Sequence, residues 1–162
     1  MGYNTDFHGK LSIEPILKPE DKKFLDDFSN SRHMKRDTEK LIKLHGPSEY
    51  GTEGEWFCDG NCNPDRDESI LNYNMPPSTQ PGLWCDFCPD KDGSALVWNG
   101  GEKTYDGLEW ITYLVTKYLA PRGYTVNGRL DANGEEYGDL WAIVVQNNVV
   151  HYQAREIVDK PI

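Results

Sequence analysis

Four cysteines in two close pairs are the residues best spaced for chemistry: Cys58-x3-Cys62 and Cys85-x2-Cys88. Four thiolates can close a tetrahedral zinc site, and paired spacing is how many such sites read. The local sequence pulls the other way. Cys85 falls in a stretch that reads as strand, where alternation would point Cys85 and Cys88 to opposite faces unless the chain curls. Pro89 also stands where a zinc knuckle usually carries glycine. The competing reading makes Cys85 a small buried apolar side chain and Cys58, Cys62 and Cys88 incidental loop thiols. On that reading no cofactor is expected, and zinc on the four cysteines is the alternative.

Two further stretches could hold an anion. "SRHMKRD" gathers Arg32, His33, Lys35 and Arg36 in an otherwise acidic chain. Guanidiniums grip phosphates and carboxylates through forked hydrogen bonds. Pairing with the protein's own acids is the plainer role. "WNGGEK" places Gly100, Gly101 and Lys103 ahead of a helix, where glycine backbones and free helical N–H groups can meet an anion. Such a double glycine more often only turns the chain. Trp84 and Trp98, expected on opposite arms of one hairpin, could stack on a flat ligand or pair in the core. The candidate ligand set is therefore Arg32, Arg36, Trp84, Trp98, Gly100, Gly101 and Lys103.

Recognisable catalytic patterns are missing. No nucleophile elbow, HExxH pair or phosphate-gripping loop occurs, and His8, His33, His45 and His151 show no paired spacing. Glu102, Asp106 and Glu109 could pair in space, a coincidence that acidic chains offer freely.

The elements that must position these residues follow from the hydrophobic pattern. Phe7, Leu11 and Ile13 alternate as a first strand that Pro15 ends. Pro19 suits a first helical turn, with Phe24, Leu25 and Phe28 on one side. Asp37 or Thr38 caps a second helix, with Leu41, Ile42 and Leu44 inward and Gly46 as its stop. Residues 46–81 read as a long irregular insertion, broken by short strands near Glu55–Cys58 and Ser69–Tyr73. Gly82–Cys88 and Ser94–Asn99 flank Asp92-Gly93 as a hairpin. Leu108, Ile111, Val115, Tyr118 and Leu119 form the stripe of the best helix, which Asp106 and Glu109 open at capping-box spacing. Tyr124, Val126 and Leu130 begin another strand, Asn133-Gly134 gives a turn, and "LWAIVV" and "VVHYQA" make a last hairpin. The order is β-α-α-β-β-α-β-β-β. It predicts an α+β domain spanning residues 1–162, with one mostly antiparallel sheet of five to six strands and two to three helices on one face.

Composition agrees with a folded chain: 37% hydrophobic residues are few, but 12% aromatic residues bury much area each. The net charge of −10 comes entirely from residues 51–162, since residues 1–50 hold nine basic and nine acidic residues. Such a chain should not bind nucleic acid nonspecifically. No stretch is long and apolar enough for a membrane span, and the first residues lack a secretion signal. A cytoplasmic location is expected, where a disulfide is disfavoured. Exposed strand edges make a dimer possible.

"MGYNTDFHG", "FSNSRHMKRD", "PPSTQPGLWC", "WNGGEKTYDGLEWITYLV" and "LAPRGYTVNG" resemble a family of small uncharacterised proteins of bacteria and their phages. The resemblance spans roughly residues 1–150 and carries no activity, cofactor or site residue with it. It implies that an aromatic or polar residue often stands at Cys88, and that a host-directed inhibitor is one form of function. The reading as a whole is a small non-enzymatic binding protein, engaging a protein partner or an anionic, nucleotide-like ligand. The alternatives are an enzyme acting on nucleotides or phosphoesters and a zinc-stabilised interaction domain.

Overall fold

The structure is a computed structural model that describes residues 2–60 and 66–156. The 162 residues, a length that suits one domain, group into two compact units. One comprises Met1–Lys18 with Asp86–Ile162, the other Pro19–Cys85. The charge asymmetry along the chain disappears in this division. The first unit holds nine basic and fourteen acidic residues, the second eight and thirteen, so each carries a net −5.

The first unit is built on a six-stranded antiparallel sheet in the order β4-β5-β1-β6-β7-β8. Its strands are β1 (Thr5–Glu14), β4 (Phe87–Pro89), β5 (Ala95–Trp98), β6 (Thr125–Gly134), β7 (Leu140–Gln146) and β8 (Val149–Ala154). As expected from the alternation, Phe7, Leu11 and Ile13 are buried on one face of β1. Across from them on β6, Val126, Leu130 and Ala132 are buried too. The helical layer of this unit is α3 (Gly107–Tyr113), followed by a π-helical stretch, Leu114–Leu119, and a 3-10 turn, Ala120–Arg122. Ile111, Val115, Tyr118 and Leu119 are buried as the stripe predicts, together with Trp110, Tyr113 and Leu114, while Leu108 is only partly covered. The wide turns were not expected, because the stripe reads equally well as α-helix.

Three local expectations are corrected here. Asp106 does not cap α3 with its side chain; it lies in the left-handed region at φ 57°, and its backbone carbonyl accepts from Trp110 N–H at 2.8 Å. Asn133-Gly134 is no turn, because β6 keeps pairing to Gly134 and the chain reverses over residues 135–139. The Asp90–Gly93 reversal does form a hairpin, but its first arm is only Phe87–Pro89. Trp84 and Cys85 lie ahead of that arm, so Trp84 does not face Trp98, whose partner in register is Phe87. The cause is that Leu83's carbonyl accepts from His33 N–H at 2.7 Å, which ties this stretch to the Ser31–His33 loop.

The second unit contains α1 (Pro19–Ser29), β2 (Lys35–Arg36), α2 (Thr38–His45) and β3 (Ile70–Asn72), with β2 and β3 forming a two-stranded ladder. Helices α1 and α2 thus belong to this unit and α3 to the other, so the expected order gains two short strands. Leu25 and Phe28 of α1 are buried, and Phe24 and Phe28 each approach Trp56 at 6.2 Å. Asp37 caps α2 as expected, accepting from Lys40 N–H at 3.2 Å. Only Leu41 of α2 is buried; Ile42 and Leu44 are 41% and 48% exposed, a correction to their inward placement. Within the long insertion, β3 occurs near the expected place. Residues 55–56 form a turn and 57–58 run without regular structure, so no strand forms there; Trp56 N–H donates to Tyr50 O and Phe57 N–H to Gly54 O.

The backbones of β1 and β6 leave no room for a side chain at Gly9. Gly9 sits at φ +110°, and a Cβ there would run into the Arg129 carbonyl oxygen of the facing strand. Gly9→Ala is expected to lower stability by about 2–4 kcal/mol in urea unfolding, from strain and overpacking together. Gly123→Ala, at φ +87° but facing open space, should cost only about 1 kcal/mol. Equal losses would show that backbone conformation alone, and not strand contact, sets the cost.

Candidate functional site

The residues nominated by sequence are divided between the two units. Arg32, Arg36, Trp84, Cys58 and Cys85 belong to Pro19–Cys85; Trp98, Gly100, Gly101, Lys103 and Cys88 belong to the sheet unit. Cys62 lies outside the described residues.

The glycine corner is closed on itself. Gly101 N–H donates to Asn99 Oδ1 at 2.9 Å, and Lys103 N–H donates to Asn4 Oδ1 at 3.1 Å. Trp98 Nε1 donates to Thr104 Oγ1 at 2.8 Å, and that hydroxyl donates to Asp86 Oδ2 at 3.0 Å. Burial holds the Asp86 carboxyl above its ordinary range, against the hydrogen bonds from Thr104 and Asn99. The backbone N–H groups of Gly101 and Lys103 are thus committed to side-chain oxygens, and a carboxylate stands beside Thr104. Trp98 itself lies 6.0 Å from Phe7, within a ring cluster that also contains Phe87 and Trp141.

Arg36 is an internal anchor. Its side chain is 3% exposed, donates to Ser69 Oγ at 2.8 Å and lies over the Phe57 ring at 4.6 Å. Asp67 pairs with both Arg36 and His45. Partial burial would raise the Asp67 carboxyl, but hydrogen bonds from Ser69 and His45 and the Arg36 charge bring it down to about 2. Arg32 differs: it is half-buried, bonded to the Tyr73 carbonyl at 3.1 Å and Asn74 Oδ1 at 3.2 Å, with its guanidinium over the Tyr73 ring.

Among the cysteines, Cys85 is fully buried and Cys58 and Cys88 are partly covered. Burial pushes the Cys58 thiol well up, helped by Asp27 and Asp59, so it stays protonated. Among the described residues, no three His, Cys, Asp or Glu side chains gather as a metal site.

The sheet unit carries a cleft that the sequence pattern did not reveal. It has a volume of about 270 Å³ and is lined by Asp106, Gly107, Leu108, Glu109, Trp141 and Tyr152. Trp141 and Tyr152 stand on neighbouring strands, since Tyr152 faces Ile143 in register, two residues from Trp141. Their rings stack at 5.7 Å and 24°. Trp141 is braced edge-on by Phe7 at 5.8 Å, whereas Tyr152 is 60% exposed. Gly107 is required by the packing behind, where a Cβ would meet the Phe7 ring. The left-handed turn at Asp106 leaves its carboxylate uncommitted to the helix end. Burial and the Glu109 charge both raise the Asp106 carboxyl. Neither carboxylate forms a hydrogen bond or ion pair with any described residue. Asp106 and Glu109 were visible in sequence as acids that could pair. Trp141 and Tyr152 were not, because only strand register brings them there.

His33, nominated with the basic segment, is buried, and its Nε2 donates to the Phe28 carbonyl at 2.9 Å. Burial lowers it to about 4, against that hydrogen bond. The unfolded chain therefore takes up a proton between about pH 6.5 and pH 4 that the folded chain refuses, and stability falls as pH falls through that window. The slope from this residue is about 1.4 kcal/mol per pH unit at its steepest. Urea melts at pH 7 and pH 5 should show a smaller loss in His33→Gln than in the parent; an unchanged difference would remove His33 as the cause. Comparison with protein-family models, with curated proteins and with solved structures yields no match.

Proposed function

We propose that this chain is a binding protein whose cleft between α3 and the β7–β8 hairpin receives a cationic side chain, arginine before lysine, from a protein partner. The single observation carrying this is the meeting of two unpaired carboxylates, Asp106 and Glu109, with the stacked Trp141–Tyr152 pair in one concavity. Aromatic faces attract cations, and a carboxylate supplies the charge-assisted hydrogen bonds. A guanidinium does both at once, being planar and forked, whereas an ammonium is a compact and strongly hydrated charge. The volume of about 270 Å³ lies under the usual range for drug-sized ligands, which suits one side chain. Burial first and the Glu109 charge second raise the Asp106 carboxyl, and a cation relieves the second of these. The net charge of −10 favours steering of a basic partner toward the surface. A host-directed inhibitor that occupies a basic surface of its target is the specific form of this reading.

The test uses the full chain and two short peptides, identical except for a central arginine or glutamate, followed by tryptophan fluorescence and by NMR of the Trp141 indole. The arginine peptide should bind and the glutamate peptide should not. Glu109→Gln should weaken binding about tenfold, equivalent to about 1.4 kcal/mol, and Tyr152→Ala by a similar factor. Binding that ignores both substitutions, or that prefers glutamate, removes the proposal.

A further inference from the structure

The two edges of the six-stranded sheet are built differently. β4 forms one edge with three residues, Phe87–Pro89, and the last of them has no N–H to offer. β8 forms the other with six, Val149–Ala154, paired to β7 without a bulge. Five of these six residues are exposed in the whole chain. Natural edge strands are guarded by charge, proline or a bulge. β8 has none of these: it contains no Lys, Arg, Asp or Glu, in a chain with 17 basic and 27 acidic residues. Arg155, the next residue, turns its guanidinium back onto the Ala132 carbonyl at 3.1 Å and Asn133 Oδ1 at 2.8 Å.

The register decides which backbone groups face outward. Arg155 N–H donates to the Leu140 carbonyl of β7 at 3.2 Å. Antiparallel pairs alternate between hydrogen-bonded and non-hydrogen-bonded. Val149, His151 and Gln153 therefore turn their N–H and C=O toward β7, and Val150, Tyr152 and Ala154 turn theirs away from it.

We propose that β8 is the seam of a twofold dimer, in which it pairs antiparallel with β8 of a second copy of this chain. With Tyr152 opposite Tyr152 at the twofold axis, Val150 of each copy falls opposite Ala154 of the other. Each outward residue then exchanges both its N–H and its C=O with the second copy. No other antiparallel register pairs all three. A second copy fits this edge because the seam is self-complementary: such a contact closes at two copies, and a neutral strand sets no like charges opposite one another. A basic partner would find no carboxylate on β8 to pair with. Val150 and Tyr152 share a sheet face with Val145 and Ile143, their partners on β7, so the seam also sets apolar side chains of both copies side by side. The short β4 edge, ending in proline, does not carry the sheet further. The inference uses the backbone of β8 and is independent of what the cleft receives.

Sedimentation velocity of the full chain from about 1 µM to about 1 mM, at two sodium chloride concentrations, measures the association, and amide hydrogen exchange followed by NMR locates it. A monomer–dimer equilibrium should appear with a dissociation constant of about 10–100 µM and no larger species. Each copy carries −10, so added salt should tighten the dimer by screening, whereas it weakens a cation held in the cleft. The Val150, Tyr152 and Ala154 amides should exchange freely in the monomer and slowly in the dimer. Ala154→Pro removes one outward donor and no bond to β7, and His151→Glu sets two carboxylates on positions about 7–8 Å apart across the axis. Each should weaken association at least tenfold and leave the amides paired between β6 and β7 as protected as in the parent. Monomer alone at about 1 mM, a dimer indifferent to both substitutions, growth beyond the dimer, or slow exchange of those three amides already in the monomer overturns the proposal.

Discussion

Ten consecutive residue pairs, from Thr5–Gly134 to Glu14–Thr125, bind the first strand of the chain to one that follows more than a hundred residues later. The sheet unit depends on this ladder. It has β5 and β4 on its outer side and β7 and β8 on the other, so β1 and β6 are the only strands whose loss would divide the sheet near its middle. Pairing this distant costs loop-closure entropy before it returns any contact. It is also intolerant of bulk, since a Cβ on Gly9 or Gly128 would run into a backbone carbonyl oxygen of the facing strand. The ladder fixes the cleft as well. Phe7 faces Ala132, Ala132 faces Trp141, and the Phe7 ring then braces the Trp141 ring.

The two units carry equal net charge but expose it differently. In the sheet unit the unpaired groups in the cleft are carboxylates beside aromatic rings. In the other unit, Arg36 and Asp67 neutralise each other along with His45, and the remaining guanidiniums converge on Tyr73. A net charge of −10 describes neither place. Chemistry in an acidic protein is set by which charges the fold leaves without partners. The Cys58 thiol adds nothing to that local charge, because burial and neighbouring acids keep it protonated.

The α+β architecture with a six-stranded antiparallel sheet was legible because alternation and turn residues are local signals: Phe7, Leu11 and Ile13 for β1, Asp92-Gly93 for the first hairpin, and Asn147-Asn148, both at positive φ, for the last. What local patterns could not supply was register and partnership. Ile42 and Leu44 have helical spacing with Leu41, but nothing in the sequence says that α2 presents only one residue inward. Capping-box spacing at Asp106 was present without the backbone geometry to use it. Trp84 was misplaced because one hydrogen bond, from His33 to Leu83, outweighed the alternation that extended the strand. For the same reason the sequence paired Arg32 with its neighbour Arg36, whereas the fold sets it on the Tyr73 ring, forty-one positions on.

The π-helical stretch Leu114–Leu119 has a bearing on how this chain can vary. Its i→i+5 bonding accommodates one residue more than an α-helical path over the same span. Leu114, Val115, Tyr118 and Leu119 are all buried across it, and Gly123 and Tyr124 deliver the chain into β6 immediately afterwards. Removing a single residue from this stretch would let the coil tighten to an α-helical path over the same span, and the residues after it would keep their phase with the residues before it. One deletion between Trp110 and Tyr124 is therefore absorbed by the wide turns, whereas a second would set helix and central strand out of phase.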